Sequence, residues 1–172
     1  MAANLTLVMD DTDKVRDLYG DALAQGLSIL PPDVNASNYR FEPVDRQRIR
    51  YGLGGVKGTG VHAIDAIVAA RAAGGPFRDL FDFCRRVDKR QVNRRVVEAL
   101  IRAGAFDAID SRRAALFASV GIALGEAERA EASAAQVSLF GDAVHDAGLT
   151  LVATREWPEQ ERLQHEKAAL GF

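Results

Sequence analysis

The stretch Gly52-Leu53-Gly54-Gly55-Val56-Lys57-Gly58-Thr59-Gly60 decides how this 172-residue chain is read. It is not a P-loop, because Lys57 precedes Gly58 and no Gly-Lys pair is followed by Ser or Thr. Nor is it a dinucleotide fingerprint, since its flanks read as helix and lack the β-α-β setting. A helix-hairpin-helix fits: Lys57–Gly60 turns the chain, and Ala63, Ile64 and Ile67 start the second helix on its packed face. Glycines at 58 and 60 permit positive φ and carry no Cβ, so a phosphate can approach the backbone. The unpaired N–H groups opening the next helix then point at that phosphate, helped by the helix dipole, with Lys57 alongside. Such contacts hold the sugar-phosphate backbone and read no bases. The same residues also suit a tight turn that binds nothing.

Helical periodicity extends to both sides. Upstream, Val15, Leu18, Ala22 and Leu23 predict a helix over 13–25, capped by Asp11 or Thr12 and stopped by Gly26. Residues 27–32 read as extended chain before Pro31-Pro32. Tyr39–Phe41 and Ile49–Tyr51 flank an Asp45-Arg46-Gln47 turn and predict a short β-hairpin within 38–52. Downstream, Val61, Ile64, Ile67 and Val68 share a helix face ending at Gly74-Gly75. Pro76 is placed to open the next helix, with Leu80, Phe83, Cys84 and Val87 inward. Val92, Val96, Val97, Leu100 and Ile101 predict a third helix that ends at Gly104 and leaves Arg94, Arg95, Glu98 and Arg102 outside. Ser111 is placed to cap a long helix to about Arg129, residues 130–154 lose periodicity and read as a flexible linker, and Pro158 starts a last helix. The expected fold is mainly α, a helical bundle with the hairpin motif and a short β-hairpin.

Composition excludes other classes. No apolar run approaches the ~20 residues needed to cross a bilayer, and the start MAANLTLVMDDTDK lacks a secretory layout. One cysteine, Cys84, rules out an internal disulfide framework and fits a reducing cytoplasm. The net charge of −2 conceals a polarity: residues 46–113 hold 15 of the 22 basic side chains but only 7 of the 24 acidic ones. A middle third with a surplus of cations suits a polyanion, although a solvated basic face gives the same count. Its densest part is Arg85, Arg86, Lys89 and Arg90, followed by Arg94 and Arg95, with Val87 and Val92 as apolar anchors. Acids nearby are too few to pair with all of them.

Three blocks in order carry a family resemblance: Gly-Leu-Ser-Ile-Leu-Pro-Pro-Asp-Val-Asn (26–35), Tyr-Gly-Leu-Gly-Gly-Val-Lys-Gly-Thr-Gly (51–60) and Val-Asn-Arg-Arg-Val-Val-Glu-Ala-Leu-Ile-Arg-Ala-Gly-Ala-Phe-Asp (92–107). Together they resemble the bacterial replicative DNA polymerase III alpha subunits, over nearly the whole chain. The resemblance implies a piece of a larger polymerase, divided into the end of the fingers (1–45), a helix-hairpin-helix DNA-binding domain (46–129), a flexible segment (130–154) and the start of a C-terminal region (155–172). It implies double-stranded DNA as partner, gripped through Lys57, Gly58, Thr59, Gly60 and the arginine-rich run. It also implies a sliding clamp and other holoenzyme subunits as partners. Gln136-Val137-Ser138-Leu139-Phe140 resembles the peptide with which these polymerases hold the clamp. Leu139 and Phe140 supply paired apolar anchors and Gln136 a polar hook; the alternative is that the two apolar residues pack on their own domain.

No active site is legible. Asp10, Asp11 and Asp13 precede a helix and read as caps and dipole partners. His62, His145 and His165 lack ligand spacing, and Cys84 has no partner motif. Two-metal phosphoryl transfer needs clustered carboxylates; the resemblance puts these, and their Mg²⁺, in a palm upstream. No cofactor or metal is expected in this chain. Competing readings are a helix-hairpin-helix repair enzyme, which needs a catalytic Asp or Lys in a cleft, and a protein-interaction scaffold without DNA contact.

Overall fold

The computed structural model describes the backbone of residues 1–140 and 148–172, and the side chains of 1–135 and 148–172. Among these residues the chain forms α1 (Ala2–Leu7), α2 (Thr12–Ala24), β1 (Ser28–Leu30), β2 (Glu42–Pro43), β3 (Arg48–Arg50), a 3₁₀ turn (Leu53–Gly55), α3 (Val61–Gly74), α4 (Leu80–Arg86), α5 (Arg94–Arg102), α6 (Arg113–Phe140) and α7 (Glu159–Leu170). The fold is mainly α, as expected. α1 is new: six residues with only Leu5 buried show no period to read. α2 starts where expected, the Asp11 carboxylate accepting from the Lys14 N–H at 3.3 Å, and Gly26 (φ 76°) follows its end.

The β-hairpin forms with shorter strands, β2 antiparallel to β3 with Glu42 opposite Arg50. The Asp45 carboxylate fixes the turn by accepting from the Gln47 and Arg48 N–H groups at 2.9 and 2.8 Å. The extended chain of 27–32 supplies a third strand, β1, parallel to β3 with Ile29 beside Ile49. That pairing crosses the 45/46 division. One hydrophobic core runs from Leu5 through Phe41, Ile64, Phe83 and Leu116 to Ala169.

α4 and α5 pack on α6. Leu80, Phe83, Cys84 and Val87 are buried, and Phe83 meets Phe77 and Phe106 edge-on at 4.8 and 5.0 Å, a favoured aromatic geometry. Pro76 does not open α4. The Asn35 side chain pins Phe77 by bonding its carbonyl (2.9 Å) and its N–H (2.7 Å), so helix begins only at Leu80, capped by Asp79 through the Asp82 N–H. Val61, expected inside, is 42% exposed because the core face of α3 is Ala63, Ile64 and Ile67.

α6 departs most from expectation. Ser111 does not cap it; Glu156, distant in sequence, accepts from the Ala114 and Ala115 N–H groups at 3.1 and 3.3 Å. The helix also continues past Arg129 to Phe140. Its buried stripe of Leu116, Ser119, Val120, Ala123 and Ala127 ends there, and beyond it Ala130, Ala132, Ala134 and Ala135 favour helix without marking any face. Residues 148–154 are not a loose linker either: Leu151 packs against the core, and the Val152 N–H donates to the Ser119 hydroxyl at 2.8 Å.

Candidate nucleic-acid interface

The loop at 57–60 is shaped by its own residues. The first helix of the motif is reduced to the 3₁₀ turn Leu53–Gly55. Gly52 must be glycine, since a Cβ there would lie 2.5 Å from the Arg40 carbonyl carbon. Gly58 takes φ +87° and has only the Ala99 methyl of α5 near it, 3.9 Å from an added Cβ. Lys57, Gly58 and Gly60 are exposed and Thr59 is half-buried.

α3 opens toward solvent from this loop. Gly60 is its N-cap and offers no side-chain bond, and the first intrahelical bond is Ile64 N–H to the Gly60 carbonyl at 3.2 Å. Among the described residues, the N–H groups of Val61, His62 and Ala63 therefore have no protein acceptor, as at any uncapped helix start. Two other loop amides are spent. The Lys57 N–H donates to the Ala169 carbonyl at 2.7 Å and the Thr59 N–H to the Val56 carbonyl at 3.2 Å. The Thr59 hydroxyl lies 2.7 and 2.8 Å from the Val56 and Leu53 carbonyls, so Thr59 braces the turn from inside instead of facing a ligand.

The C-terminal residues buttress this loop. α7 is tied by Glu166 to Arg113 (2.6 Å), and Arg113, only 8% exposed, also holds Asp107 through two bonds of 2.8 and 2.6 Å. Burial works against the Arg113 charge, but those carboxylates outweigh it and raise its pKa. Phe172 meets Tyr19 at 5.2 Å between ring centres. None of this was legible in the periodicity of 159–170.

The arginine-rich run divides. Arg86 turns inward, donating to the Ala70 and Gly75 carbonyls at 2.8 and 2.6 Å, pairing with Asp82 at 3.1 Å and lying 4.6 Å over the Phe77 ring. It closes the C-terminal end of α3 and leaves the set of surface contacts. Lys89, its side chain 13% exposed, lies 2.6 Å from Glu131 of α6; the contact is an ion pair without hydrogen-bond alignment. Arg90 pairs with Asp88 at 3.3 Å, and Arg94 with Glu98 at 2.6 Å. Arg85 is exposed. Arg95 is exposed with no carboxylate at ion-pair distance among the described residues, four residues before Ala99, hence on the side of α5 nearest Gly58. The structure thus sets Lys57, Gly58 and Gly60 side by side, keeps Arg95 exposed on the α5 face that carries Ala99, and commits Thr59, Arg86 and Lys89 elsewhere.

The side chains of Gln136, Leu139 and Phe140, like His145, lie outside the described residues. Asp11 caps α2 and Asp13 pairs with Arg16 at 3.1 Å. Burial pushes the Cys84 thiol up to about 12, which keeps it protonated and unreactive. Among the described residues no group of three or more His, Cys, Asp or Glu could hold a metal ion, and no helix is long and apolar enough to cross a membrane.

A glycine-rich elbow feeding an uncapped helix, packed against a second helix pair, defines a helix-hairpin-helix module, and the chain belongs to that family: the helix-hairpin-helix motif matches residues 26–116. Along its whole length the chain is also related to the alpha subunits of DNA polymerase III. It is 46% identical over 174 residues to DNA polymerase III subunit alpha of Neisseria meningitidis serogroup B. The proteins of that name from Vibrio cholerae serotype O1 and Escherichia coli K12 are each 44% identical over 177 residues. Each alignment takes in 100% of this chain and 15% of the relative's length.

Proposed function

We propose that this chain is the non-catalytic part of a replicative DNA polymerase III alpha subunit that grips duplex DNA by its backbone and tethers the enzyme to a sliding clamp. The observation that carries the reading is the open start of α3, where three N–H groups without acceptors among the described residues follow an exposed elbow between two glycines, with Lys57 in the elbow and Arg95 exposed one turn before the Ala99 that faces it. A phosphate oxygen suits that site in charge and in size, because no Cβ at 58 or 60 holds it off. The contact is blind to sequence, which is what a polymerase requires of the product duplex it slides along. Arg85, Arg90 and Arg94 extend the positive field, Arg90 and Arg94 exchanging their carboxylate partners for phosphates. Gln136, Leu139 and Phe140 form the clamp-binding element, raising the effective concentration of polymerase at the primer end. The chain works in the cytoplasm with the other holoenzyme subunits; the Mg²⁺ of nucleotidyl transfer belongs to the palm of the larger protein.

The test is fluorescence anisotropy of a labelled duplex against the chain over a range of salt. Affinity falls steeply with salt, and Lys57→Ala with Arg95→Ala makes the slope of log K against log salt shallower by about 2. Salt-independent binding refutes the DNA reading, and a double variant that binds like the parent refutes the hairpin as its site. Titration of the sliding clamp against the chain with and without Leu139→Ala and Phe140→Ala tests the tether independently; equal binding refutes it.

A further inference from the structure

The three-stranded sheet carries a set of arginines that the hairpin does not use. β3 is central, flanked by β1 and β2. Ile49 points into the core at 4% exposure, so strand alternation puts Arg48 and Arg50 on the outward face. Arg46 stands exposed at the tip of the turn that precedes them. Arg40 lies exposed across from Gly52, where the two chain segments remain side by side, the Tyr39 carbonyl accepting from the Gly54 N–H at 2.9 Å.

The nearby acids are already engaged. Both Glu42 oxygens accept from the Asn38 amide, at 3.1 and 2.9 Å, although Glu42 sits opposite Arg50 in register. Asp45 is used by its own turn and by Arg48 Nε at 2.6 Å. Among the described residues Arg40, Arg46 and Arg50 have no carboxylate at ion-pair distance, and Arg48 keeps 53% of its side chain exposed despite its pairing. All four cations between 40 and 50 are arginine, none lysine. Arginine's planar fork matches phosphate oxygens two at a time and is more weakly hydrated than an ammonium group.

We infer that this sheet face is a second phosphate-binding surface for the duplex held at the hairpin. The inference rests on the duplex reading above. Two features choose the occupant. The face complements a polyanion in charge, and β3 runs through the 3₁₀ turn directly into the 57–60 loop, so the surfaces are joined by a short stretch of chain from Tyr51 to Val56, buried except at the half-buried Gly54. Arg48 and Arg50 are two residues apart on an extended strand, about 6.6 Å, a separation comparable with that of successive phosphates along one strand. The sheet would thus lie along the backbone while the hairpin fixes one point of it, as phosphate contacts set register without reading sequence.

The test compares two double variants of the chain in the anisotropy experiment with the same labelled duplex. Arg46→Ala/Arg50→Ala alters one exposed and one half-buried side chain outside the core, and its urea midpoint should match the parent's. It should lower affinity on the order of tenfold at 0.1 M salt and make the salt slope shallower by about 2. Arg46→Lys/Arg50→Lys should restore most of the slope but not all of the affinity, because the charge returns without the fork. An alanine pair that binds like the parent overturns the inference; if Lys57→Ala/Arg95→Ala then still weakens binding, the hairpin reading stands. Loss from the sheet pair alone supports the sheet site and overturns the hairpin reading, and no loss from either pair overturns both. Displacement of the duplex by polyglutamate at equal charge concentration also overturns the inference, by making an acidic protein the better occupant.

Discussion

Replacing Gly58 by alanine isolates the conformational demand of the elbow from its packing. An alanine methyl there meets nothing closer than the Ala99 methyl, at 3.9 Å, so no neighbour has to move. The cost lies in the backbone: at φ +87° an L-residue is disfavoured by about 1–2 kcal/mol. Alanine also restricts the unfolded chain, which returns about 0.4–1 kcal/mol to the folded state. The net expectation is destabilisation of about 1 kcal/mol, with Gly58→Asn costing less because asparagine tolerates that region. Gly60 is the internal control. It sits at φ −94° with open space around its Cβ, where the N-cap preference for glycine over alanine and the entropy gain oppose each other at about 0.5–1 kcal/mol apiece. Gly60→Ala should therefore leave stability within about 0.5 kcal/mol of the parent. Urea unfolding read by the single tryptophan serves both, since Trp157 packs against Phe117 and His165 at 5.6 and 4.2 Å between ring centres. A neutral Gly58→Ala would show that the elbow does not need its positive φ. A loss above about 4 kcal/mol would show a steric conflict that the 3.9 Å clearance denies.

The long-range cap of α6 is open to a similar measurement: Glu156→Ala leaves the Ala114 and Ala115 N–H groups without their acceptor and should cost about 1 kcal/mol, with Glu156→Gln costing less; no change in the urea midpoint refutes the cap. Asp82 predicts a pH dependence. Burial pushes its carboxyl up, but the Arg78 N–H and the Arg78 and Arg86 guanidinium groups outweigh that and hold it below the ordinary 3.8. A depressed folded-state value contributes stability above pH 3.8 that is lost as pH falls through the folded-state value. Asp82→Asn should flatten the acid limb of the stability profile, and an unchanged limb in acid titration followed by circular dichroism sinks this assignment.

What could be read along the chain was what depends on near neighbours. The cap at Asp11, the stop at Gly26, the turn at Asp45 and the helical period of Ile64 and Ile67 involve partners within a few residues, so spacing and residue type suffice. The elbow at 57–60 belongs to the same class: glycines on either side of Thr59 and an apolar period beginning at Ala63 specify a bend and a helix start whatever surrounds them.

The use of each cation was decided by the fold. Arg86 and Arg95 are the same residue type in the same basic run, yet one closes the end of α3 beneath the surface and the other stays exposed on the face of α5 that carries Ala99. Each has an acid within four residues, Asp82 before Arg86 and Glu98 after Arg95, so the near sequence does not separate them; what does is where the Ala70 and Gly75 carbonyls arrive in space. The same holds for the parallel seating of β1 on β3, for Glu156 at the start of α6, and for the Ala169 carbonyl that takes the Lys57 N–H. Helix turns and caps close over short loops at small entropic cost, whereas these contacts exist only after the core from Leu5 to Ala169 has brought distant segments together.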